Sequence, residues 1–211
     1  MNSFRRLVRP RFLTIAAIFA SLCAPFALAA TPAETYLQQN IQKGLAILQD
    51  KGAAEAQTDL QFRGFLESLT DIKRVALFTL GPVSKTAAPA DVDAFTAAFH
   101  DYIIAVYQSQ LSHYTGEALI VTGSTEHAPG DFIVATKIGD ASGKIANGAE
   151  EVDFRVEAVN GGFEVLDASV GGIWLATNER DQFMAFLARH NNDVAALTAH
   201  VKEVTSNMRA K

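Results

Sequence analysis

The apolar residues of this chain change their spacing twice, and nothing else in the sequence limits the fold as strongly. They recur about every 3.6 residues from Glu34 to Tyr114, every second residue from Glu117 to Ala168, and about every 3.6 residues again after Asn178. Helices, then strands, then helices is the order of an α+β domain whose helices cover one face of an antiparallel sheet. In the first block the pattern predicts a helix over Glu34–Lys51, with Tyr36, Ile41, Leu45 and Leu48 on one stripe. A second helix, capped by Thr58–Asp59, carries Phe62, Phe65, Leu66 and Leu69. A short helix over Asp71–Leu80 is closed by Gly81–Pro82, since glycine suits the position after a helix and proline cannot continue one. The longest periodic segment opens at Pro89–Asp91, carries Val92, Phe95, Phe99, Tyr102, Ile103, Val106, Leu111 and Tyr114, and stops at Thr115–Gly116.

The period-2 block predicts strands over Glu117–Thr122, Asp131–Ile138, Glu150–Val159 and Gly162–Ala168. In the third, Val152, Phe154 and Val156 alternate with Asp153, Arg155 and Glu157, so one face is apolar and the other solvated. Asn160–Gly161 between the last two strands is a tight-hairpin signal. A twisted antiparallel meander of about four strands is expected. Beyond it, Asn178 is a candidate cap for a helix with Phe183, Phe186 and Leu187. Asn192 or Asp193 is a candidate cap for one with Val194, Leu197, Val201 and Val204.

The N-terminus has a different character. Arg5, Arg6, Arg9 and Arg11 precede an apolar run from Phe12 to Ala30 that ends in Ala27-Leu28-Ala29, the make-up of a secretory leader cleaved after residue 29. A membrane anchor of that length is the competing reading; the small-residue site and Thr31–Pro32 directly after it favour cleavage. Cleavage removes four of the 18 basic residues, leaving 14 against 23 acidic, a net charge of −9 over residues 30–211. It also removes Cys23, the one cysteine, so an exported domain of this size must be held by its core alone. The acidity argues against nucleic acid and against unspecific attraction to anionic membranes.

Catalytic spacings are not evident. His100, His113, His127, His190 and His200 form no H-E-x-x-H or H-x-H pattern, and with no cysteine beside them they make no zinc set. No G-x-S-x-G elbow occurs, and Gly161–Gly162 and Gly171–Gly172 read as turns. No catalytic residue, metal ligand or cofactor is therefore assigned. Asp167 is the acidic residue to watch: it falls in phase with Phe163 and Val165, and so is expected to be partly buried and paired, plausibly with an arginine. Ten phenylalanines after the leader, with Trp174 and four tyrosines, supply a large apolar surface. The residues alone fit a filled core as well as a hollow one.

The segment Val165-Leu166-Asp167-Ala168-Ser169-Val170-Gly171-Gly172-Ile173-Trp174-Leu175, and Asn178-Glu179-Arg180-Asp181-Gln182-Phe183 after it, resemble the MlaC family's Val-x-Asp-Val strand, Gly-turn and Arg-x-Gln-Phe helix start. Leu80–Gly81, the ladder Phe95, Phe99, Tyr102, Tyr107, Leu111, Tyr114, and Val152–Val156 resemble its long helix and central strand. The likeness runs in order from about residue 33 to 200. Two departures, Pro82–Val83 in place of a tryptophan and Trp174 in place of a serine, suit the hopanoid-associated HpnM-like branch.

The resemblance implies a periplasmic lipid carrier, of phospholipid or hopanoid. It implies docking partners in an outer-membrane lipoprotein complex and an inner-membrane ABC transporter with an MCE-domain subunit. It also implies acyl chains inside an internal apolar cavity; a monomer is expected. On that basis Phe95, Phe99, Ile103 and Val106 are expected to face Phe132, Val134, Phe154, Val156 and Val165 across the cavity, with Ile173 and Trp174 at its rim. Two other readings stay open: an NTF2-like small-molecule enzyme, with polar groups converging in the pocket, and an interaction protein with a filled core and no ligand.

Overall fold

The computed structural model describes residues 29–50, 52, 54–111 and 114–210. All but the last residue of the expected leader therefore lies outside the described residues, as do Lys51, His113 and the side chain of Leu111. The fold is α+β in the expected order. Helices α1 (Pro32–Gln49), α2 (Glu55–Leu69), α3 (Ile72–Leu80) and α4 (Pro89–Leu111) come first. Strands β1 (Ala118–Ala128), β2 (Asp131–Gly139), β3 (Glu151–Val159), β4 (Gly162–Val170) and β5 (Ile173–Trp174) follow, then helices α5 (Leu175–Arg189) and α6 (Val194–Arg209). The strands lie in sequence order as an open antiparallel meander.

Local chemistry sets most of the boundaries. Thr31 and Glu34 cap α1 reciprocally: the Thr31 hydroxyl accepts from the Glu34 N–H and the Glu34 carboxylate accepts from the Thr31 N–H, both at 3.2 Å. Asp71 and Asp193 accept from the Arg74 and Ala196 N–H groups to open α3 and α6. Gly81 ends α3 with φ of 57°, a left-handed conformation that favours glycine, and a Cβ there would also crowd Met184 Sδ at 3.0 Å. Asn160 and Gly161 both have positive φ, as the β3–β4 hairpin requires.

Several expectations need correcting. α2 begins at Glu55, ahead of Thr58–Asp59, with Ala54 as an N-cap whose side chain makes no capping hydrogen bond. β1 runs on to Ala128, with a register shift between Val121 and Gly123. A fifth, two-residue strand, β5, adds to the four. α5 starts at Leu175, so Asn178 sits inside its first turn and does not cap it.

The sheet's two faces divide as the alternation predicts. Phe132 and Val134 lie opposite Val156 and Phe154 on the apolar face. On the other face Arg155 grips Asp131, with Nε to Oδ1 at 3.0 Å and Nη2 to Oδ2 at 2.7 Å. That bond holds the Asp131 carboxyl below its usual range. A depressed carboxyl pKa contributes stability above the unfolded value, near 4, that is lost as pH falls through the folded one. Asp131→Asn is therefore expected to cost about 1 kcal/mol at neutral pH, the arginine being well exposed, and little in acid. Urea titrations at both pH values check this.

Apolar residues gather in two clusters. One is a helical core of α2 to α6, built around Phe95, Phe99, Phe183, Leu187, Leu197 and Val201. The other lies beneath α1, where Ala33, Leu37 and Ile41 press onto Val134, Val156 and Val165. α4 presents apolar residues around most of its circumference because α6 packs on one flank and a void lies on another.

Candidate functional site

Between the apolar face of the sheet and helices α1, α2 and α4 lies a cavity of about 300 Å³. α1 contributes Leu37, Ile41, Gly44, Leu45 and Leu48 to its wall. α2 contributes Phe62, Phe65, Leu66 and Leu69, α3 Ile72 and Val75, and α4 Phe99, Ile103, Val106 and Tyr107. The sheet side is Leu119, Phe154 and Val165 to Ala168, and Leu175, Ala176 and Glu179 close the end where α5 begins. The wall is almost wholly hydrocarbon. Gly44 lets α1 and α2 approach, since a Cβ there would stand 3.1 Å from the Phe65 ring.

Five of the eleven residues assigned from sequence stand on this wall: Phe99, Ile103, Val106, Phe154 and Val165. The other six do not. Phe95 is fully buried in the helical core, 5.8 Å from Phe183 edge to face. Val134 and Val156 are sealed by α1 above them. Phe132 packs against Phe163. Ile173 is 60 % exposed on β5, and Trp174 is half-buried at the β5–α5 junction. The wall residues of α1 and α2 were not assigned, although their stripes were evident; a stripe says that a helix buries a face, not that the face looks onto empty space.

The few polar wall groups are mostly partnered. A register shift between Arg155 and Val156 breaks the alternation of β4 at Leu166, so Asp167 lies opposite Arg155 instead of continuing the phase of Phe163 and Val165. Arg155 is committed to Asp131, and the Asp167 carboxylate accepts instead from the backbone N–H groups of Ala168 and Ala176, each at 2.8 Å. The expected arginine partner is thus replaced by the first turn of α5, whose N-cap residue, Trp174, makes no side-chain capping bond. Burial nonetheless raises the Asp167 carboxyl above its usual range. Glu179 Oε1 accepts from the Tyr102 hydroxyl at 2.9 Å, and burial raises its carboxyl too. Burial, and then the charge of Asp167, push the Tyr107 hydroxyl up to about 12.

Asp167→Ala is expected to cost about 1–3 kcal/mol by taking the acceptor from the N–H groups of Ala168 in β4 and Ala176 in α5. Asp167→Asn keeps an accepting oxygen without the penalised charge and should lose about 1 kcal/mol or less. A raised carboxyl pKa contributes stability in acid that is lost as pH rises through the folded value, so the Asn variant should gain on the parent across that rise. Equal losses for Ala and Asn in chemical denaturation would show instead that the charge itself is needed.

Among the described residues no group of three or more His, Cys, Asp and Glu side chains is placed to hold a metal ion. No helix among them is long and apolar enough to cross a membrane.

The family model described as MlaC protein matches residues 38–203. Among solved structures, the phospholipid-binding protein from Ralstonia solanacearum, determined in complex with a phospholipid, superposes with a TM-score of 0.72. At 20 % sequence identity the match covers 86 % of this chain and 100 % of that one, a likeness of fold. No curated protein matches the chain.

Proposed function

The chain belongs to the MlaC protein family, and on that premise we propose that it is an exported carrier that holds the hydrocarbon of a lipid between its sheet and its helices. The leader over residues 1–29 is removed on export, and residues 30–211 work as one lipid-binding domain in the periplasm. The cargo is a phospholipid or a hopanoid. Loading and unloading take place at an outer-membrane lipoprotein complex and an inner-membrane ABC transporter with an MCE-domain subunit, and the carrier travels as a monomer.

The observation that carries this reading is the apolar cavity of about 300 Å³. Ligand pockets start at about this volume, and apolar voids half as large stay dry and take up hydrocarbon. The energetic need is plain. Each methylene exposed to water costs about 0.8 kcal/mol, so a lipid with roughly 30 of them is held back by on the order of 20 kcal/mol. A carrier must offset that with apolar surface, and needs few polar contacts to do it. A solid-core interaction protein would not leave such a void. An enzyme would need polar groups converging on one reacting point; Asp167 is bonded instead to the start of α5, and Glu179 to Tyr102.

Native mass spectrometry of the protein purified from its periplasm checks the proposal, with lipid extraction from the same sample. A bound lipid is expected. Ligand-free protein throughout would overturn it.

A further inference from the structure

The wall of the cavity carries two acidic side chains, Asp167 and Glu179, and no Lys, Arg or His. Both stand at the end where β4 meets α5. They differ in how far they are satisfied. Asp167 takes two backbone N–H groups. Among the described residues Glu179 accepts one hydrogen bond, from the Tyr102 hydroxyl to Oε1, whereas a carboxylate has room for about four. The nearby cations are engaged elsewhere: Arg180 lies 4.9 Å over the Phe78 ring, and Arg155 holds Asp131. A carboxylate in a water-poor, hydrocarbon-lined space repels an anion strongly and accepts from any donor in reach.

Resting on the carrier reading, we infer that this end of the cavity selects a lipid whose buried polar group is an uncharged or cationic hydrogen-bond donor, a hydroxyl or an ammonium, seated on Glu179, and rejects one that brings a phosphate or carboxylate there. Glu179 is then a specificity-determining residue. An anionic headgroup, where a ligand has one, must stay at the other end of its chains. The raised carboxyl of Glu179 agrees with this, since a half-buried carboxylate with room for more donors is one that a donating ligand relieves.

The test uses delipidated protein loaded with a fluorescent apolar probe. Three competitors, each with one cis-9-monounsaturated 18-carbon chain, displace it: monooleoylglycerol, oleylamine and oleoyl lysophosphatidic acid. The assay runs in about 0.5 M salt, which screens exposed charge far more than buried charge. At least one donor lipid is expected to displace the probe at about tenfold lower concentration than the phosphate lipid, and the ranking of the two donors tells hydroxyl from ammonium. Glu179→Gln should narrow that gap. Tyr102→Phe, which removes the hydroxyl that donates to this carboxylate, should widen it. Glu203→Gln, the same charge change on the exposed side of α6, should leave it alone. Equal displacement by all three lipids in the parent, or a gap that Glu179→Gln and Tyr102→Phe both leave unchanged, overturns the inference while the carrier reading stands. Failure of the probe and of every lipid to bind overturns both.

Discussion

Ile103→Trp is expected to abolish lipid binding and to make the protein more stable in the same step. Ile103 lies on α4 with its side chain on the cavity wall. The larger ring has about 300 Å³ of empty space before it. Cavity-filling substitutions commonly add about 0.5–2 kcal/mol, because new apolar surface leaves water and new contacts form without displacing old ones. The same change in a filled core forces neighbours off their rotamers and costs about 1–3 kcal/mol. The sign of the stability change thus separates a hollow interior from a solid one. Lipid retained on purification should fall tenfold or more. Urea unfolding of the delipidated protein and lipid quantified by mass spectrometry give the two readings. A destabilised protein that keeps its lipid would mean that the wall is not where the ligand lies.

Phe95→Ala is expected to do the reverse. Its ring is fully buried, 5.9 Å from Phe99 and 5.8 Å from Phe183, in the centre of the helical core. Truncation leaves a cavity that rigid helices fill only in part, at a cost of about 3–5 kcal/mol. The molecules that stay folded should carry as much lipid as the parent. Phe154→Ala makes the contrast: its ring is half-buried and on the wall, so it should cost about 1–2 kcal/mol less than Phe95→Ala and lose lipid instead. Thermal melts with lipid counted per folded molecule distinguish the two. Loss of lipid from folded Phe95→Ala protein would place that ring in the site after all.

Phe95 and Phe99 also show how far the sequence could be read. Four residues apart on α4, they share a face, and periodicity reports only that the face is apolar. Which element lies opposite is a matter of tertiary packing: Phe183 meets both rings, yet only Phe99 also reaches the void. Val134, Phe154 and Val156 pose the same problem on the sheet. Alternation put all three on the apolar face, but α1 seals the two valines and leaves the phenylalanine open. The strand and helix order, the β3–β4 turn and the Asp193 cap were legible because each rests on neighbours in the chain. The shift at Leu166 was only half legible: the adjacent apolar pair Val165–Leu166 interrupts the alternation, but that Leu166 is the extra residue shows only against the register of β3. The cap that Asp167 supplies to α5 follows from that shift, so it was hidden too.

The division of the interior into two clusters has a consequence for the working cycle. The rings that knit α4 to α5 touch one another, and Phe95 and Phe183 are buried among neighbours of the helical core, away from the cavity wall. A protein that folded around its passenger would fall apart on delivery and have to be made afresh for each journey. On the proposed carrier reading, this framework would stand with the compartment occupied or vacant, so one molecule would survive unloading and make the return trip with nothing aboard.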